Sequence, residues 1–136
     1  MNLTTRRTLG RAIAQSIVLH HIHFAAPDVA AMKAWYVKTF AARPGTRAGF
    51  EAADLPGVNL TFGASAEPVV ATRGRTLDHI GFEVRNLEAF CKQLEASGIT
   101  LDRPYTKVPA LGIAIAFLTD PWGTYIELTE GLSAVP

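Results

Sequence analysis

The chain carries four histidines, and the way two of them recur is its first sign of chemistry. His21 opens the run His21-Ile22-His23-Phe24, and His79 opens His79-Ile80-Gly81-Phe82. Ala31 and Ala89 match at the same offset, while Asp28/Asn86 and Val29/Leu87 are close substitutions. A second pair of segments follows in the same order, Val58-Asn59-Leu60-Thr61 and Ile126-Glu127-Leu128-Thr129, displaced by one additional loop. Ordered matches of this kind read as a duplicated structural unit. Imidazole nitrogens and carboxylate oxygens are good ligands for a divalent cation. His21, His79 and Glu127 are therefore the residues whose types could build a metal centre. His23 adds an imidazole, a side-chain type suited to general acid–base work, that could orient a substrate or move a proton. Its counterpart Gly81 leaves room beside it, although a packing role fits His23 equally well.

The elements that must position these groups follow from periodicity. Each unit begins with an apolar, β-rich run, Ile17 to Ala25 and Leu77 to Val84, alternating as a half-buried strand does. Pro27-Asp28 and Arg85-Asn86 stop those strands, and Asp28 or Asn86 suits the N-cap of a following helix. In the first helix Val29, Met32, Trp35, Tyr36 and Phe40 recur at helical spacing. In the second, Leu87, Phe90, Cys91, Leu94 and Ile99 do the same, with Gly98 ending the helix. Shorter strands are expected around Thr46–Ala53 and Val58–Ala64, then around Thr100–Tyr105, Ile113–Thr119 and Thr124–Glu130. Asp120-Pro121-Trp122-Gly123 forms a turn before the last. The order is strand–helix–strand–strand–strand, twice. This predicts an α+β fold of two βαβββ modules.

Strand alternation assigns faces. Ile22 and Phe24 oppose His21 and His23; Ile80, Phe82 and Val84 oppose His79 and Gly81. Leu60 and Phe62 oppose Asn59 and Thr61, and Ile126 and Leu128 oppose Tyr125, Glu127 and Thr129. One face of each sheet suits covering helices. The other gathers His, Glu, Asn and Thr, which need partners wherever they are buried. A metal ion would satisfy several at once, and Asn59, Thr61, Tyr125 and Thr129 are candidates for lining a substrate pocket. His20 falls on the wrong face and reads as structural. Trp35, Tyr36 and Phe40 belong to the core. Cys91 lies on the apolar side of its helix with no activating neighbour, which removes it as a nucleophile.

Composition narrows the function classes. A hydrophobic fraction of 49% and a charged fraction of 18% describe an ordinary globular chain rather than a disordered one. A net charge of +1 with scattered Lys and Arg offers no footprint for nucleic acid or an anionic membrane. The single cysteine excludes an internal disulfide. Arg6-Arg7 and Ala12-Ile13-Ala14 have a faint likeness to a twin-arginine export signal, but Gly10 and Arg11 interrupt the apolar stretch. Residues 1–16 thus read as a flexible leader, 17–131 as a single domain with modules at about 17–66 and 75–131, and 132–136 as a tail. A cytoplasmic location is expected.

The two-fold repeat, a His at the head of each unit, Trp35-Tyr36, and Asp120-Pro121-Trp122-Gly123-Thr124-Tyr125-Ile126-Glu127-Leu128 together resemble the vicinal oxygen chelate superfamily. This group includes glyoxalase I, extradiol dioxygenases, methylmalonyl-CoA epimerase, fosfomycin-resistance enzymes and bleomycin-resistance binding proteins. The resemblance covers about residues 17–131. It implies that the paired modules curl into a cup-shaped, partly closed mixed sheet with helices outside and metal ligands within. Carried over position by position, the ligands fall on His21, His79 and Glu127. The fourth position falls on Asn59, where glyoxalase I has a carboxylate. Two His and one carboxylate leave open positions for a bidentate oxygen substrate on one divalent ion: Fe, Mn, Zn or Ni.

The function implied is that of a divalent-metal-dependent enzyme, a glyoxalase-like lyase or isomerase acting on a small oxygen-bearing molecule. An extradiol-type dioxygenase is an alternative, although Phe117 stands where a second-sphere Tyr would be expected. A non-catalytic small-molecule-binding protein of the bleomycin-resistance kind is another. The metal site could lie within one chain or between the two chains of a homodimer with exchanged modules.

Overall fold

The computed structural model describes residues 17–136; the expected leader, residues 1–16, lies outside the described residues. The elements run β1 (His21–Ala26), α1 (Val29–Phe40), β2 (Arg43–Arg47), β3 (Phe50–Leu55), β4 (Val58–Ala64), β5 (Ile80–Glu83), α2 (Leu87–Ala96), β6 (Leu101–Val108), β7 (Ile113–Thr119) and β8 (Tyr125–Glu130). The order is βαβββ twice. Each module forms a four-stranded mixed sheet, β1-β4-β3-β2 and β5-β8-β7-β6. Within each, the first strand pairs in parallel with the last, and the others are antiparallel. Neither sheet closes into a barrel, so β1 and β5 are both sheet edges.

Local chemistry explains the boundaries. Asp28 caps α1, its carboxylate accepting the Ala31 N–H at 2.9 Å, and Asn86 occupies the same position before α2. Glu130, at the end of β8, adds a second cap by accepting the Asn86 N–H at 2.7 Å. The stretch Thr46–Ala53 is not one strand. A two-residue turn at Ala48 and Gly49, both at positive φ, splits it into β2 and β3. Alanine at positive φ is uncommon, so this hairpin carries only half of the usual turn signal. The opening strands also begin later than their apolar runs, at His21 and Ile80.

One apolar cluster joins the modules. Phe24, Ala26, Leu60 and Phe62 of the first sheet and Ala116, Leu118, Ile126 and Leu128 of the second are all buried, with Met32 and Tyr36 of α1 and Leu87, Cys91 and Leu94 of α2. Phe40 bridges from α1 to Phe82 (5.3 Å between ring centroids) and Phe90 (6.3 Å). Trp35 and Phe40 are half-buried against this cluster, whereas Tyr36 is fully enclosed. The helices and apolar sheet faces thus share one interior. The opposite sheet faces, carrying the histidines, remain outside it.

Candidate functional site

His79 stands just before β5, and two carboxylates fix its ring. Nδ1 lies 2.7 Å from Asp78 Oδ1, and Nε2 lies 3.2 Å from Glu127 Oε2 on β8. Asp78 is held in turn by the Gly74 N–H at 2.5 Å. The His79 contact and that N–H hold the Asp78 carboxyl below the ordinary aspartate range. Strand register explains the approach of Glu127: it pairs with Gly81, which offers no side chain to fill the space between His79 and Glu83.

This geometry has a chemical consequence. An ionised carboxylate only accepts hydrogen bonds, so the ring proton belongs on Nδ1, toward Asp78. Nε2 then presents a lone pair to a second carboxylate unless a proton or cation lies there. Two ligand atoms each about 2.1 Å from one divalent ion, at tetrahedral or octahedral angles, are separated by about 3.0–3.4 Å. The His79–Glu127 separation of 3.2 Å fits such a pair.

His21 stands on the other sheet, exposed, opposite Asn59 in the β1–β4 register. Its Nδ1 is 2.9 Å from Nδ1 of His20. Among the described residues, no three His, Cys, Asp or Glu side chains gather closely enough to hold an ion. The structure thus brings His79 and Glu127 together and leaves His21 apart from them. Asn59 is committed to the backbone, donating from Nδ2 to the His20 carbonyl at 2.7 Å.

His23 is tied through Nδ1 to the Thr61 hydroxyl at 2.9 Å. That hydroxyl reaches the Ile22 carbonyl at 3.4 Å, so it accepts from His23 Nδ1–H and leaves a lone pair on Nε2. Phe50 braces the ring edge-on at 4.8 Å. Gly63 gives it space, since a Cβ there would lie 2.7 Å from Nε2. Thr61 and Thr129 are both buried; Thr129 bonds Glu83 rather than facing open space. Tyr125, only 8% exposed, stacks on Phe117 at 5.0 Å. A cleft of about 990 Å³ opens between β1 and β5, lined in part by His21, His23, Phe40, Phe82 and Phe90.

The glyoxalase/bleomycin resistance protein/dioxygenase superfamily profile matches residues 18–128. The chain belongs to that superfamily. Solved structures of similar fold include TioX from Micromonospora sp. ML1, at 20% identity and a TM-score of 0.68, covering 84% of this chain and 98% of that one. The oxidase ChaP-H2 is 21% identical, with a TM-score of 0.68 and coverage of 85% and 94%. A lactoylglutathione lyase from Agrobacterium tumefaciens is 18% identical, with a TM-score of 0.64 and coverage of 87% and 96%. No curated protein matches the sequence significantly. Identities this low establish a shared fold, and within the superfamily the activities named are diverse.

Sequence reasoning missed Asp78, Arg73 and Arg103 around His79, whereas Phe117, expected in the second sphere, does lie beside that ring at 5.9 Å. Asp78 directly precedes His79 in the sequence, but its contact with the ring depends on a rotamer. Arg73 and Arg103 carry no such mark. Arg73 belongs to the segment joining the modules, outside the repeat. Arg103 sits between two register shifts in β6, where alternation no longer assigns a face.

Proposed function

We propose that this chain is a divalent-metal-dependent enzyme, a glyoxalase-like lyase or isomerase acting on a small molecule with adjacent oxygens. The observation that carries the reading is the approach of His79 Nε2 to Glu127 Oε2 at 3.2 Å while Asp78 occupies the opposite ring nitrogen. Histidines that ligate metals commonly have their other nitrogen held by a carboxylate in this way. His79 and Glu127 would hold the ion together with His21. When bound, a divalent ion polarises adjacent substrate oxygens and acidifies a neighbouring C–H. His23, with Nε2 free to accept a proton, is the candidate base. Asn59, Thr61, Tyr125 and Thr129 stay candidates for shaping the pocket, the two threonines by holding His23 and Glu83 rather than by direct contact.

His21 would be supplied by a second copy in a homodimer. In support, the polar sheet faces lie outside the shared core, β1 and β5 are open edges, and apolar Ile17, Val18, Leu19 and Phe50 are exposed near the histidine-bearing sheet. Among the described residues, no helix is long and apolar enough to cross a membrane, and a small molecule remains the expected partner.

Metal analysis after dialysis tests this reading. One equivalent of divalent metal per chain is expected, with affinity falling at least tenfold in His21→Ala, His79→Ala and Glu127→Ala. Undiminished metal binding in all three variants, or none in the parent, overturns it. The aromatic cleft between β1 and β5 favours a second reading, sequestration of an apolar ligand without turnover. Under that reading ligand binding would survive all three substitutions.

A further inference from the structure

The segment joining the modules is stitched to the β7–β8 turn. Thr72 donates its N–H to the Gly123 carbonyl at 2.9 Å, and its hydroxyl accepts the Tyr125 N–H at 2.9 Å. Gly123, at φ 98°, makes this contact possible, since a Cβ there would lie 2.8 Å from Ala71 Cα. The next residue is placed as a result. The Arg73 guanidinium carbon lies 4.6 Å from the centroid of the Tyr125 ring. A guanidinium over an aromatic face is oriented by the ring while its N–H edge stays free to bind.

Arg103 reaches the same place from β6, where it pairs with Phe117 in the β6–β7 register. Arg73, Arg103, Asp78, His79 and Asp102 border one open cavity of about 440 Å³, with Phe117 and Tyr125 as its aromatic wall. Both carboxylates there are already engaged. Asp78 serves His79 and the Gly74 N–H, and Asp102 accepts from the Thr119 hydroxyl at 2.6 Å. Among the described residues neither Arg73 nor Arg103 forms an ion pair. Arg73 and Arg103, neither in a hydrogen bond or ion pair from its side chain among the described residues, thus border a cavity that His79 also lines, with the Arg73 charge near enough to Asp78 to help lower its carboxyl.

The geometry points to an anion subsite, formed by Arg73 and Arg103, that takes a carboxylate or phosphate group of the substrate beside the His79–Glu127 pair. The substrate class is thereby narrowed to acids. This rests on the metal-enzyme reading only for the substrate's other end; the grip on the anion requires no metal.

Metal-free protein titrated with benzoate and, separately, with inorganic phosphate tests the subsite, using calorimetry and the chemical shifts of the Tyr125 amide and the arginine side chains. Saturable binding of at least one anion is expected, and the tighter of the two identifies the group preferred. Arg73→Gln and Arg103→Gln should each weaken it about tenfold, the effect of losing one charge-assisted contact. Arg85→Gln, removing an exposed cation elsewhere, should not. Gly123→Ala keeps both arginines but displaces the joining segment, and should weaken anion binding. No saturable binding, or equal weakening by Arg85→Gln, overturns the subsite. If His21→Ala and Glu127→Ala still bind the anion while the parent takes up no metal, the metal reading fails and the subsite stands.

Discussion

At the scale of single residues, His79 depends on a neighbour that is not itself a candidate ligand. Asp78 accepts from Nδ1 and so directs the Nε2 lone pair toward Glu127. Removing it would leave the proposed ligand set complete but the imidazole free to rotate and change tautomer. Asp78→Ala is expected to weaken metal affinity about 10- to 100-fold, the usual effect of losing a ligand's supporting partner. Competition against a chelator of known affinity would measure this, and an unchanged circular dichroism spectrum would show the fold intact. That His79 and Glu127 share one face of their sheet was legible because alternation assigns faces without knowledge of the fold. What alternation cannot supply is the distance between faces of different strands. For that reason the face shared by Asn59 and His21 could be read, but not the bond from Asn59 Nδ2 to the His20 carbonyl.

At the scale of elements, the β7–β8 turn ties the modules together. Asp120 Oδ1 accepts the N–H groups of Trp122 (2.9 Å) and Thr124 (2.8 Å), and Oδ2 accepts the Tyr36 hydroxyl of α1 at 2.8 Å. Burial, then the charge of Asp120, push the Tyr36 phenol far above its ordinary range, so it remains a donor at any working pH. Tyr36→Phe strips one donor from a buried carboxylate and should cost about 1.5–3 kcal/mol, read as a lowered urea midpoint with unchanged slope. A second element responds to pH. The turn after β8, Leu132–Ala134, is held by Glu83, which accepts the Gly131 N–H at 2.6 Å. Partial burial raises the Glu83 carboxyl, but hydrogen bonds from the Thr129 hydroxyl and the Gly131, Ser133 and Leu132 N–H groups outweigh it, leaving a net lowering. A carboxyl lowered on folding stabilises the structure above the ordinary glutamate range and loses that contribution as pH falls through its folded value. Exchange of the Gly131 amide should therefore accelerate, beyond its intrinsic pH dependence, as the solution is acidified. Glu83→Gln should abolish that excess.

At the scale of the molecule, the repeat in the sequence disclosed both modules because duplication preserves the hydrophobic pattern each unit needs. It could not disclose how the polar faces meet. His21 and the His79–Glu127 pair belong to separate sheets, and the shared core packs the apolar faces while leaving the polar ones outside. On the proposed reading, convergence of all three on one ion calls for a second copy, and that arrangement predicts complementation. In a dimer with shared sites, His21 of each chain serves the pair on the other. Equal amounts of His21→Ala and Glu127→Ala chains, unfolded together and refolded, should form about half mixed dimers. Each mixed dimer has one site carrying both defects and one carrying neither, so about a quarter of the parent's sites should regain the parent's affinity, although neither variant alone binds the metal as tightly as the parent. Sites confined within one chain cannot be rescued by mixing, since every chain then keeps its own defect. Metal content of the refolded mixture distinguishes the two arrangements: a value at background would place all three ligands in a single chain, whereas metal retained by His21→Ala chains alone would remove His21 from the set.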